Sequence, residues 1–144
     1  MSTTHLNHAM VLLQRDDGRV LAVRHNAVTV IGGKPAAGEF LDDGALRAAA
    51  EEAGVRVARR DLEFCQTVHC PGPDGRPVIA VAFTAQRWLG EPRNAAPHQH
   101  DGILWIDPGR PPSDCHPVTR QILATFTAGR LYADITAPAT GGGA

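Results

Sequence analysis

Two adjacent glutamates, Glu51 and Glu52, close an alanine-rich run that begins Ala45-Leu46-Arg47-Ala48-Ala49-Ala50. Alanine and leucine are the best helix formers, and Gly54 follows almost at once, so the run reads as a helix with a glycine stop. The pair therefore lies in the last helical turn, beside the partially negative end. Carboxylates belong at the other end, by about 0.3–1 kcal/mol each. Two acids in the unfavourable place suggest a task other than stability. A hard divalent cation would supply one, because Mg²⁺ takes oxygen ligands and often bridges to substrate phosphates. The structural alternative is an Arg47–Glu51 pair at i,i+4 with Glu52 merely solvated.

The surroundings bear on that choice. Gly32-Gly33 leads into a loop holding Pro35 and Gly38. Gly33, five residues, Glu39, seven residues, Arg47, three residues, Glu51-Glu52, one residue, Gly54 and apolar Val55 follow in fixed spacing. This pattern resembles the Nudix box of the Nudix hydrolases. The resemblance implies a loop-helix-loop that binds Mg²⁺ or Mn²⁺ and cleaves a diphosphate linked to another group. By position it makes Glu51 and Glu52 the metal-binding pair and Arg47 the arginine that orients them. Glu39 matches the early glutamate, and Gly33 opens the box and lends a carbonyl to the metal. Gly38 and Gly54 serve the loop and the helix stop.

Three positions depart from the resembled pattern. Ala48 stands where the family has a glutamate, usually a metal ligand and in some members the general base. Helix geometry places residue 48 on one face with 51 and 52, so the face carries two carboxylates instead of three. Phe40 stands where a capping serine is common. Val30-Ile31 precedes the glycines where leucine-proline is common.

A second acid implied by the resemblance is also absent, since Ala96-Pro97 stands where a Glu-Pro often precedes a late strand. His98, His100 and Asp101 follow directly and are the candidate substitutes. Histidine titrates near neutral pH, so His100 is the candidate base. His98 and His100 alone are far from a complete transition-metal site. Lys34 follows the glycines and can reach a phosphate as a point charge. Arg24 and His25 lie where the resemblance places the substrate pocket. His69 reads as structural or groove-facing.

Composition sets bounds. The chain has 144 residues, enough for one domain with a sizeable core. Its formal net charge is -1 and Lys34 is its only lysine, so no global field recruits nucleic acid. Three cysteines, Cys65, Cys70 and Cys115, form no C-x-x-C pair and suggest reduced thiols in a cytoplasmic protein. The start does not resemble a signal peptide, and no apolar run is long enough to span a bilayer.

The elements that must position the candidates follow from periodicity. Ala9 to Leu13 reads as a strand buried on both faces. Arg15-Asp16-Asp17-Gly18 is a turn, and Val20 to Val23 the second strand of a hairpin. His25 to Thr29 reads as a short loop, and Val30-Ile31 as a brief extended piece. The first helix covers Leu41 to Ala53. Strands are expected over Leu62 to His69, Val78 to Trp88 and Ile103 to Ile106, with a turn at Pro71-Gly72-Pro73-Asp74-Gly75. A second helix covers Val118 to Ala128. The order gives an α/β fold with helices on both faces of a mixed β-sheet, which is also the α/β/α sandwich that the resemblance implies. Arg87-Trp88-Leu89-Gly90-Glu91-Pro92 looks like a W-x-G-x-P stretch seen in many Nudix members, and Trp105 resembles their late-strand tryptophan. The expected domain is 1–137, with a small-residue tail over 138–144.

The expected function is metal-dependent hydrolysis of a diphosphate linkage in a nucleoside diphosphate derivative or related pyrophosphate. The alternative is a Nudix-like protein with little or no hydrolysis that binds a nucleotide-like ligand. The expected partner is a small phosphate-containing substrate, with neither nucleic-acid polymer nor membrane; a homodimer is left open.

Overall fold

The computed structural model describes residues 6–71 and 75–135. The central strand is β1, Leu6–Leu13, in which Ala9 to Leu13 are all buried. Successive side chains of a strand point to opposite faces. Ala9, Val11 and Leu13 accordingly enter one core layer, and Met10 and Leu12 the other. A continuous apolar run is what burial on both faces requires.

Around β1 lie β2 (Val20–His25), β3 (Ala27–Gly33), β4 (Glu63–Pro71), β5 (Pro77–Ala85), β6 (Gly102–Ile106) and β7 (Tyr132–Asp134). They form one sheet in the order β6-β2-β3-β1-β5-β4-β7. The β1–β5 and β4–β7 pairs are parallel and the others antiparallel. Helix α1 (Leu41–Ala53) covers the face of Ala9 and Val11, and α2 (Pro117–Thr127) covers the face of Met10 and Leu12. This is the expected α/β/α sandwich on a mixed sheet. Among the described residues no helix is long and apolar enough to cross a membrane.

The expected hairpin is corrected. The turn after β1 forms, with Arg15 N–H donating to the Arg19 carbonyl and Gly18 N–H to the Arg15 carbonyl. The pairing stops at a single Gln14–Val20 bridge, because β3 lies between β1 and β2. The true hairpin is β2–β3, with His25 opposite Ala27 and Asn26 at φ 65° between them. Asparagine tolerates that left-handed conformation. The expected loop from His25 to Thr29 is thus largely strand. Its β-branched Val28 is buried, which pairing in the sheet allows and a surface loop does not.

β3 meets β1 with Met10 opposite Gly32 and Ala9 opposite Gly33. Gly32 has φ 144°, and an added Cβ would stand 2.3 Å from the Ala9 carbonyl oxygen and 2.6 Å from Met10 Cα. Only glycine permits this approach.

Helix α1 has the expected bounds. Phe40 precedes it with no side-chain cap, and Gly54 closes it at φ 69°, its N–H on the Ala50 carbonyl and that of Val55 on the Ala49 carbonyl. Helix α2 starts one residue early, at Pro117, where a missing N–H costs nothing. His116 caps it, its Nδ1 accepting the Val118 N–H at 3.1 Å. β7 was not expected; three residues are too few to show an alternation, and pairing with the edge of β4 creates it. Trp88 and Trp105 stack at 6.4 Å beside the α1-side core, with the Arg15 guanidinium 4.5 Å above Trp105. The expected turn at 71–75 falls partly, and the tail 138–144 wholly, outside the described residues.

Candidate functional site

Adjacent positions on a helix do not share a face, and Glu51 and Glu52 meet different surroundings. Glu51 is 61% exposed and accepts a hydrogen bond from Arg47 Nη1 at 2.9 Å. Arg47 also grips Glu39 with a fork, through Nε and Nη2, each at 2.9 Å. Glu39 Oε1 in turn accepts the Ala36 N–H at 2.9 Å. Hydrogen bonding from Arg47, then from Ala36, holds the Glu39 carboxyl below its ordinary range. The fork ties the glycine loop to α1. Of the glutamate pair, Arg47 contacts Glu51 and orients Glu52 only through the helix.

Glu52 turns inward and is 13% exposed. Its carboxylate lies near the Gly32 N–H, at the glycine end of β3. Burial pushes its pKa up to about 7; the Glu51 charge adds to the rise, while the Gly32 N–H and the Arg47 charge oppose it. His100 Nε2 lies 3.1 Å from Glu52 Oε1. Burial, followed by the neighbouring His25 and His98, lowers the His100 pKa, with Asp101 opposing. His100 Nδ1 is buried and has no partner among the described residues.

The loop that delivers His100 is anchored on the end of α1. The last carbonyls of a helix lack intrahelical donors. Here Ala95 N–H donates to the Glu52 carbonyl and Arg93 N–H to the Ala53 carbonyl. Asn94 Nδ2 then donates to the His100 carbonyl at 2.8 Å, and the Gln99 and His100 N–H groups both donate to the Ala96 carbonyl.

Other expected residues are spread around this centre. Lys34 is exposed, and its charge contributes to lowering the His8 pKa. Arg24 is ion-paired to Asp114 at the approach to α2. His98 and Asp101 are exposed. Ala48 is 6% exposed and belongs to the α1-side core, and Ala96 is also buried. Ala48 lies one turn before Glu52 on the inward side of α1, while Glu51 points to solvent.

The donor set decides what ion would fit. Among the described residues no group of three His, Cys, Asp or Glu side chains converges, so a site built from side chains alone, as in the His98–His100 reading, finds no support. A hard divalent cation needs less, since Mg²⁺ commonly binds through one or two carboxylates and keeps several waters. Glu52 is suited to that role: a nearby cation favours the charged form that burial disfavours. Glu51 would join by leaving Arg47.

On the opposite face of the sheet the same glycines line a cavity of about 620 Å³. Its wall includes His8 and Met10 of β1, Thr29 and Val30 of β3, and Val118 and Thr119 of α2. The sequence reading missed these residues. The available signal was the period-2 spacing of His8 and Met10, which puts a polar side chain on a core face.

A family model described as NUDIX domain matches residues 4–126. The fold is similar to a MutT NUDIX hydrolase from Burkholderia pseudomallei, at 23% identity and TM-score 0.75, covering 84% of this chain and 97% of that one. It is similar to the E. coli ORF135 protein at 20% identity and TM-score 0.72, covering 88% of this chain and 91% of that one. It is likewise similar to a MutT protein from Methanosarcina mazei Go1 at 17% identity and TM-score 0.71, covering 89% of this chain and 96% of that one. No curated protein matches the sequence.

Proposed function

The chain belongs to the Nudix family, and on that premise we propose that it is a divalent-metal-dependent hydrolase cleaving a diphosphate linkage in a nucleoside diphosphate derivative or related pyrophosphate. The observation that carries this reading is the buried Glu52 carboxylate, with His100 Nε2 3.1 Å away and the Gly32 N–H nearby. A structural helix has no use for a desolvated acid in its last turn.

Glu52, Glu51 and the Gly33 carbonyl would hold Mg²⁺ or Mn²⁺. When bound, such an ion neutralises diphosphate charge and lowers the pKa of water. The rest is work for the chain itself. The Arg47–Glu39 fork fixes the loop against the helix. Lys34 offers a point charge to a phosphate. Arg24 reaches a substrate on release from Asp114. His100 is the proton acceptor: burial favours its neutral form, and a proton taken up there is met by the Glu52 charge.

The test is phosphate release from a panel of diphosphates with Mg²⁺ or Mn²⁺. Wild type should release phosphate only with metal, and Glu52→Gln should lower the rate about a thousandfold. Release by neither protein overturns the reading.

A second reading, a ligand binder without turnover, is favoured by one observation. Residues 48 and 96 are alanines, both buried, so two positions where the family pattern has an acid supply none. If wild type binds diphosphates without turnover, Ala48→Glu separates the readings. A gain in rate returns the chain to the hydrolases; tighter metal binding without turnover marks a binder.

A further inference from the structure

We propose that the cavity on the α2 face takes the non-phosphate part of the substrate, and that this part is an alkyl or alkenyl chain. The preferred substrate is then an alkyl diphosphate, not a nucleotide. The inference rests on the diphosphate-hydrolase reading and narrows it.

Position supplies the first argument. Glu52 lies near the Gly32 N–H, and Gly32 and Gly33 also line the cavity. A diphosphate at the glycine turn therefore sends its substituent into this space. The volume of about 620 Å³ accommodates a chain of moderate length.

The chemistry of the wall supplies the second. Met10, Val30, Cys70, Pro71, Val78 and Val118 present hydrocarbon and sulfur. The polar groups are few, and two are already engaged. The Thr119 hydroxyl accepts the Val30 N–H at 3.2 Å, and His116 Nδ1 accepts the Val118 N–H. The remaining polar side chains are His8 and Thr29. Among the described residues the wall has no carboxylate, carboxamide or guanidinium, and its only aromatic rings are the two imidazoles. A nucleobase carries several donors and acceptors on its edge, and each one buried without a partner is penalised. Base recognition also draws on aromatic platforms and on Asn, Gln, Asp or Arg side chains. A hydrocarbon chain needs none of these and gains by leaving water. Met10, flexible along its length, lets the wall adapt to the chain.

The test is calorimetric binding with Mn²⁺ present, using non-hydrolysable methylene diphosphonates. Three probes are compared: the geranyl ester, a nucleoside ester, and methylenediphosphonate alone as the headgroup. The geranyl probe should bind about tenfold tighter than the headgroup, and the nucleoside probe no tighter than the headgroup. Val118 is half-buried in the first turn of α2. Val118→Asp should abolish the geranyl advantage and leave headgroup affinity unchanged. An acid in a first turn favours the helix, so the variant should fold. Val118→Thr, closer in shape, should remove part of the advantage. A nucleoside probe that binds tighter than the geranyl probe overturns the inference, as does a Val118→Asp effect equal on all three. Failure of the hydrolase reading looks different: the headgroup itself does not bind, and wild type releases phosphate from no diphosphate.

Discussion

The two faces of the sheet make opposite use of the chain. On the α1 face the hydrogen-bonded cluster around Arg47 and Glu52 comes from one continuous stretch, Gly32 to Glu52, which His100 joins from outside. On the α2 face the cavity wall is assembled from β1, β3, β4, β5 and the start of α2. The first is polar and hydrogen-bonded, the second mostly apolar. Charge placement needs short, directional contacts that a loop and one helix can supply. A cavity that accepts a substituent needs walls on several sides, and no single element has them. On the proposed reading, bond-breaking and substrate choice are therefore separable, meeting at Gly32 and Gly33.

The largest expected effect breaks one side and spares the other. Glu52→Gln should cost about a thousandfold in phosphate release, while binding of the cavity substituent persists. Parallel rate and calorimetric measurements check this. Equal loss in both would show that the faces are not independent.

Gly32→Ala should damage both faces, because its Cβ would lie 2.3 Å from the Ala9 carbonyl oxygen in the middle of the sheet. Overpacking against backbone at this positive φ should cost about 3 kcal/mol in urea unfolding.

A pH titration sharpens the picture. The folded pKa of Glu52 is raised, to about 7 from an ordinary 4.5. The folded state therefore prefers the protonated acid. Without metal, stability should be full below about pH 4.5, fall as pH rises to about 7, and stay level above. The loss attributable to Glu52 should be about 3 kcal/mol. It is read as the difference between wild type and Glu52→Gln in urea unfolding at several pH values. A difference independent of pH would mean that Glu52 is not desolvated.

The smallest effect concerns Arg47→Lys, which keeps the charge and loses the fork. Stability should fall by about 1 kcal/mol or less, since the guanidinium is partly exposed. Metal affinity should fall a few-fold as the loop loosens, measured by calorimetry. An unchanged affinity would confine Arg47 to a surface role.

Much of the α1 face was legible in the sequence because its physics is local. Helix propensity and the Gly54 stop placed α1 and its end, and fixed spacing singled out Glu39, Arg47 and the glutamate pair. Strand β1 was legible as an apolar run. What periodicity did not reveal was partner choice. The turn at Asp17-Gly18 formed as expected, yet the adjoining strands are separated by β3. Strand pairing is a competition among all edges, won here by burying Val28, Val30 and Ile31 together.

The sequence by itself determined that two acids end a helix stopped by Gly54. Spacing along one element sets those relations, and folding does not alter them. Only the tertiary structure decided that the two acids differ, Glu51 in solvent with Arg47 and Glu52 desolvated against Gly32 and His100. It also decided that Ala48 faces the core and that His8, His116 and Val118 share a cavity. Burial and long-range proximity depend on how the helix rotates onto the sheet and which strands become neighbours. Those outcomes belong to the packing of the whole chain, not to any stretch of it.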